Sequence, residues 1–433
     1  MIQKFAHLLF LASILLLPWQ TQAIYSMAHV SGEPSAYGVL SVYVTEAMIV
    51  FAFLLRGRLQ THPQTSRMAR AVFFFLAAAF FSLGMSRVEW VGWFHLVHVV
   101  GAALLFFLLI DVRTNIRQVL ILFLLGLIVP VLVGWFQVLH GSSPDSTLLG
   151  IAAKDVATAG VAVVETANGR LLRAYGTFPH PNVFGGYLAL GIVGLAWLTR
   201  FIRSQQVLTG ALVACVVLGS SLIVTFSRSA WLGVLVSCLV ICVFMLWQRR
   251  LPPRRAFPVL VLGLVSVVFT LSFFHAQVLS RFDPSMRLEV ISLEERASQY
   301  QTFGSVFWTA PLLGVGPSAY TFTLERLDPG HPVWSYQPIH NTYLLILAEL
   351  GVFGMLVFGY AIFCLNPLAN ASLRNSSGLF AMALGVLLFV IGLFDHYLWT
   401  LWPGLSLTAV CLGTLVQIAY SSNRNENRPR SIP

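Results

Sequence analysis

Residues 118–139 read QVLILFLLGLIVPVLVGWFQVL. No charge interrupts them, and the apolar positions are continuous rather than alternating. A helix crossing the hydrocarbon core of a bilayer needs about 20 such residues. The stretch therefore reads as a membrane span, and its pattern recurs along the chain. Similar runs lie near 5–22, 37–55, 71–86, 91–110, 183–199, 207–225, 229–247, 257–275, 339–364, 378–395 and 402–420, which with 118–139 makes twelve. Clusters of Arg, Pro and Gly separate them.

Composition points the same way. Of 433 residues, 57% are apolar, 13% aromatic and only 10% charged, and the mean hydropathy is +0.80. Soluble domains are about one quarter charged, and disorder needs low hydrophobicity with high charge. Both classes are excluded. A transmembrane barrel would alternate apolar and polar positions, which these runs do not. The predicted fold class is an all-α polytopic membrane protein of about twelve transmembrane helices. Its organisation is spans one to nine in 1–275, with an outer loop near 140–182, then a large outer loop at 276–338 containing an amphipathic helix. Spans ten to twelve follow in 339–420, then a disordered tail at 421–433.

Seventeen of the 26 basic residues fall in alternate, short joints: Lys4, Arg56, Arg58, Arg67, Arg70, Arg113, Arg117, Arg200, Arg203, Arg249, Arg250, Arg254, Arg255, Arg374, Arg424, Arg428 and Arg430. Only Asp111 and Glu426 join them among the acids. The positive-inside rule then predicts both termini in the cytoplasm and the long loops outside. The net charge of +10 follows from these joints, not from a nucleic-acid surface. The first span reads as an uncleaved anchor, although a signal peptide would leave the same topology. All five cysteines fall within spans, with neither disulfide nor zinc spacing.

The outer loops carry the candidate chemistry. They hold His140, His180, His331 and His340, with Lys154, Arg170, Arg173, Arg281, Arg287, Arg296 and Arg326. From Asp283-Pro284 to about Trp308 the pattern is helical, with Arg296, Tyr300, Phe303 and Phe307 on one face. Arg287 is about 180° away around that helix. An apolar turn, Pro311-Leu312-Leu313-Gly314-Val315-Gly316-Pro317, follows. Then His340-Asn341-Thr342-Tyr343 stands at the mouth of the tenth span, with Glu349 inside it. By itself His340 is either a base or an interfacial histidine bonded to a loop carbonyl. Glu46, within the second span, needs a structural partner.

These segments together resemble the O-antigen ligase and O-antigen polymerase superfamily. The resemblance rests on Gly176-Thr177-Phe178-Pro179-His180-Pro181-Asn182, Thr225-Phe226-Ser227-Arg228-Ser229, Arg296, the Pro311–Pro317 turn, His340-Asn341 and Glu349-Leu350-Gly351, in that order. Two positions depart from the family pattern: Tyr300, where Trp is frequent, and Pro317-Ser318, where Gly is frequent.

The resemblance implies a glycosyltransferase in the bacterial inner membrane, with its active site facing the periplasm. The donor would be an undecaprenyl-pyrophosphate-linked glycan. The acceptor would be a hydroxyl on a glycan, a lipid core or a protein, and a chain-length regulator is a further partner left open. His340 would be the base, and Arg228 and Arg296 the pyrophosphate ligands. Arg287, Arg170, Arg173, His180, Asn182, Tyr300, Asn341 and His396 would complete the substrate site. For His180 and Asn182 the alternative is a helix cap, and for Arg228 and Arg296 an ion pair with an outer carboxylate. The acids of the outer loops form no Asp-x-Asp pair or Ca²⁺-loop pattern, so the chemistry is expected to need neither metal nor cofactor. A glycolipid transporter or flippase is the alternative from another class.

Overall fold

Backbone in lipid must satisfy its own N–H and C=O groups, so uninterrupted apolar runs become helices. The computed structural model describes residues 1–62, 65–166, 169–248, 256–372 and 376–426. Its helices are α1 (Ile2–Leu16), α2 (Val44–Arg56), α3 (Ser66–Leu83), α4 (Glu89–Ile110), α5 (Ile116–Gly126), α6 (Ile128–His140), α7 (Pro181–Leu198), α8 (Gln205–Val224), α9 (Arg228–Trp247), α10 (Ala256–Phe273), α11 (His275–Ser280), α12 (Arg287–Phe307), α13 (Tyr320–Leu327), α14 (Thr342–Ser372), α15 (Ser376–Phe394), α16 (Tyr397–Thr400) and α17 (Trp402–Glu426). The strands form three antiparallel hairpins: β1 (Gln22–Val30) with β2 (Glu33–Tyr43), β3 (Ser142–Ser143) with β4 (Lys154–Asp155), and β5 (Val163–Thr166) with β6 (Gly169–Leu172).

Among the described residues, nine helical segments are long and apolar enough to cross a membrane. The run at 118–139 is one of them, with α5 and α6 continuing through Leu127 as Ile116–His140. Two further apolar helices, α1 and the segment Val261–Phe273 of α10, are shorter, and α2 has thirteen residues. The chain is thus a multi-pass, mostly helical membrane protein. The long helices pack in pairs, α4 on α17, α9 on α15, α3 on α14 and α8 on α10. Four of the five cysteines face helix neighbours at least in part, whereas Cys242 is exposed.

Three expectations change. The span expected at 37–55 begins only at Val44, because residues 33–43 pair with 22–30 as a hairpin. Its turn is Ser31-Gly32, both at positive φ (53° and 80°), the geometry that matches strand twist. The helix expected from Asp283 begins at Arg287, because Asp283 Oδ1 accepts from Ser285 N at 2.9 Å and from Ser285 Oγ, holding a turn. Of the expected tail, 421–426 continues α17, and 427–433 lies outside the described residues, as do the basic clusters at 249–255, 374 and 428–430.

The turn after α12 explains Glu349. Gly351 breaks the helical course of α14 at φ 69°. The freed backbone groups are taken up by that turn: Val315 N donates to Ala348 O (3.0 Å), Gly316 N to Glu349 O (3.0 Å), and Val352 N to Pro311 O (2.9 Å). Gly314, at φ 78°, lies so close to the Glu349 backbone that a Cβ would collide with it. The buried Glu349 carboxylate accepts from Trp399 Nε1 at 2.6 Å and Ser318 N at 2.9 Å. Its role is to lock the turn onto the broken span. Glu46 likewise has its partner, His98 Nδ1 at 3.0 Å.

Candidate active site

Three helices start at one end of the bundle, each with a capping side chain. His180 Nδ1 accepts from Asn182 N (3.2 Å) ahead of Pro181, the first residue of α7. Ser227 Oγ accepts from Ala230 N (3.4 Å) at the start of α9. Asn341 Oδ1 accepts from Tyr343 N (3.0 Å) and Leu344 N (3.1 Å) at the start of α14. The N-terminal end of a helix carries partial positive charge and favours anions.

Asp395 joins the three starts. Its Oδ2 accepts from Asn182 Nδ2 at 2.7 Å and Ser229 Oγ at 3.4 Å. Its carbonyl accepts from Thr342 N at 3.0 Å and Thr342 Oγ1 at 2.8 Å. Burial pushes the carboxyl up to about 6, against the opposing pull of the Asn182 bond and of Arg296. The neighbouring His396 lies edge-on to His340, ring centroids 5.0 Å apart, and edge-on to Tyr37 of β2 at 5.6 Å. The hairpin therefore reaches the same place.

His340 is held by Gln299 of α12. One atom, Gln299 Oε1, faces both the His340 backbone N (3.2 Å) and its ring Nδ1 (2.8 Å). Backbone N–H can only donate, so that atom is the amide oxygen, and the ring nitrogen facing it must carry a hydrogen. The neutral imidazole then has Nε2 as its acceptor. Burial, then the Arg296 guanidinium, lower His340 to about 4. Both lower it from the ordinary histidine value near 6.5.

Arginines surround this pair. Arg173 is buried; its Nε donates to Thr225 O (2.8 Å) and its Nη2 to Asn182 Oδ1 (2.7 Å) and Phe226 O (3.2 Å). Burial and then Arg281 bring it down to about 9. Arg228 Nη1 meets Glu289 Oε2 at 2.7 Å and Arg281 O at 2.8 Å, and Arg281 pairs with the other oxygen of Glu289. One carboxylate thus serves two guanidiniums. Arg228 Nη2 and Arg281 Nε are buried without a partner among the described residues. Half-buried Arg296 makes no hydrogen bond or ion pair among them, and burial followed by Arg228 lowers its pKa.

The expected residues therefore divide. His340, Arg296, Arg228, Arg173, His180, Asn182 and His396 meet at this end. Arg287 and Arg170 are placed elsewhere: both pair with Glu165 on β5, at 2.8 and 3.2 Å, because Arg287 faces away from Arg296 around α12. Asn341 is engaged as a helix cap, and Tyr300 is 52% exposed, beside Arg296 on α12 but outside the buried cluster. Gln299, Arg281 and Glu289 are not among the site residues that the sequence points to, whereas Asp395 stands in Asp395-His396-Tyr397, which the sequence offers either as part of an acceptor groove or as a bond to loop backbone. For Gln299 a signal existed, since it lies three residues beyond Arg296, next to it on the helix surface.

Residues 211–359 match the protein family described as O-Antigen ligase. The matched segment contains Arg228, Arg281, Glu289, Arg296, Gln299, His340 and Glu349, whereas Arg173, His180, Asn182, Asp395 and His396 lie outside it. No curated protein matches the chain. The family supports a membrane glycosyltransferase of the O-antigen ligase/polymerase type, with a lipid-linked glycan and an acceptor as partners. This segment, residues 211–359, is thus similar to the O-antigen ligase family and supports the resemblance to the O-antigen ligase/polymerase superfamily.

Proposed function

We propose that the chain transfers a glycan from an undecaprenyl-pyrophosphate carrier to an acceptor hydroxyl at the outer leaflet. The observation that carries this reading is a neutral histidine, its Nε2 unbonded among the described residues, beside an arginine that makes no ion pair among them. His340 Nε2 takes the proton of the acceptor hydroxyl as its oxygen bonds to the anomeric carbon. The bond from that carbon to the pyrophosphate oxygen breaks, and the carrier pyrophosphate leaves with the electron pair.

Arg296 is offered to that developing charge, with Arg228 and Arg281 behind it. Preorganised donors aimed at forming charge supply most of the rate enhancement in many enzymes. Arginine suits the task because its fork meets two phosphate oxygens at once. Three helix N-termini add to the field. Because Arg296 is one cause of the low basicity of His340, a bound pyrophosphate offsets it and strengthens the base when the donor is in place. Asp395 and Asn182 hold the helix starts in register and need not touch substrate.

The test is turnover by the full chain in nanodiscs, supplied with lipid-pyrophosphate-linked glycan and acceptor, with and without EDTA. Release of carrier pyrophosphate coupled to acceptor glycosylation, unaffected by EDTA, is expected. Movement of the donor between leaflets without bond cleavage would instead fit a flippase and remove this reading.

A further inference from the structure

The end of the bundle away from the active site holds a second charged cluster that glycan transfer does not use. A cavity of about 430 Å³ is lined by Gln3, Lys4, His7 and Leu8 of α1, Arg56 at the end of α2, and Arg113 just after α4. Arg56 is only 3% exposed. Its Nε meets Asp111 Oδ2 at 3.3 Å, and its Nη1 donates to His7 Nδ1 at 2.9 Å. Its Nη2 is buried and has no partner among the described residues. Arg113 uses its Nε on both oxygens of the same Asp111, at 2.9 and 3.1 Å.

The charges do not balance. Lys4, Arg56 and Arg113 line the cavity, the one carboxylate paired there among the described residues is Asp111, bound by both arginines, and His7, accepting from Arg56, is neutral. An unpaired donor on a buried guanidinium is costly, and two excess cations so close repel each other. An anion in the cavity relieves both. Phosphate suits an arginine donor with a lysine beside it. The outward face of α1 at the cavity carries Phe5 and Leu8, 57% and 63% exposed, which suits an acyl chain. Basic pockets between helices at the headgroup level recognise anionic lipid.

We propose that this cavity binds the phosphate of an anionic phospholipid, with Arg56 and Lys4 as ligands and its acyl chains along α1. The site is independent of the transfer reaction.

The test uses the full chain in detergent, titrated with short-chain phosphatidylglycerol, with phosphatidylcholine of equal chain length and with inorganic phosphate, and read by native mass spectrometry. Phosphatidylglycerol should bind more tightly than phosphatidylcholine. Lys4 is exposed and bonds to nothing among the described residues, so Lys4→Gln should fold normally yet weaken phosphatidylglycerol about fivefold, as expected for one basic residue near the headgroups. Lys4→Arg should restore it. Equal binding of the two lipids, or an unchanged affinity in Lys4→Gln, overturns the proposal. Displacement of phosphatidylglycerol by millimolar inorganic phosphate overturns the lipid assignment in favour of a free-phosphate site.

Discussion

Replacing Gln299 by Glu changes one atom's charge at the proposed base. The amide oxygen lies 2.8 Å from His340 Nδ1 and 3.2 Å from its backbone nitrogen, and both donate to it. A carboxylate there keeps both bonds and adds an opposite charge beside the ring. Such a charge favours the protonated imidazole and raises its pKa by about 1–3 pH units. From about 4 in the wild type, the value would move to roughly 5–7. A protonated ring cannot accept the acceptor's proton, so activity is lost as pH falls through the pKa. The acid limb of kcat/KM, which reports the free enzyme, should therefore move from about pH 4 to roughly pH 5–7. At pH 6 the variant should keep between about a tenth and nine tenths of its plateau rate, while the wild type is at plateau. At pH 8 the two should differ little.

The assay is the initial rate of carrier-pyrophosphate release between pH 4 and 9. Gln299→Leu serves as the contrast. It removes the acceptor that fixes the tautomer, so it should lower the rate across the whole range and leave the limb in place. Coincident acid limbs in wild type and Gln299→Glu would show that His340 is not the group whose protonation stops turnover.

Arg296→Lys retains the charge but loses the fork, and should cost roughly 2–4 kcal/mol in the transition state, about 30- to 1000-fold in kcat; near-normal turnover would reduce Arg296 to bulk charge. Asp395 has a folded pKa of about 6 against an ordinary 3.8, so the folded state holds a proton that the unfolded chain releases. Stability should fall as pH rises from roughly 4 to 6; Asp395→Asn should flatten that slope in thermal unfolding, and an unaltered slope would assign the proton elsewhere. In a chain cleared of its own cysteines, Ser298→Cys on α12 should react with an impermeant thiol reagent from the periplasmic side and Gln205→Cys at the start of α8 should not; the reverse pattern would invert the topology.

The helices were legible because lipid allows so few backbone solutions. A continuous apolar run of span length has one reading, as for residues 118–139. The β1–β2 hairpin was not legible for the complementary reason. Residues 37–43 form a short apolar run that periodicity cannot separate from the start of a helix, and only Ser31-Gly32 marked a turn. Within the site, His340 and Arg296 were picked out by the family resemblance, since chemical type alone leaves His340 either a base or an interfacial histidine. Asp395 and Gln299 act through contacts to residues 213 and 41 positions away, and spacing along a chain does not report such pairs. Arg287 shows the converse. Its helical phase relative to Arg296 indicated a separate direction, and its pairing with Glu165 follows that phase.

The separate motifs also acquire a common physical meaning. Three of them end in a helix start: His180-Pro181-Asn182 opens α7, Ser227-Arg228 opens α9, and Asn341-Thr342 opens α14. Capping chemistry alone would select such residues in any protein, which is why each motif is weak by itself. What capping does not explain is the convergence of all three starts on Asp395. Nor does it explain Arg173 and Arg228, which stand at this convergence when a helix N-terminus disfavours cations. Arg173 there has no carboxylate within salt-bridge distance among the described residues, and Arg228 shares one with Arg281. Placing guanidiniums against three positive helix ends raises the energy of the empty site. The arrangement favours a multiply charged anion, and the pyrophosphate of the proposed donor would be one, gaining further charge as the glycosidic bond breaks.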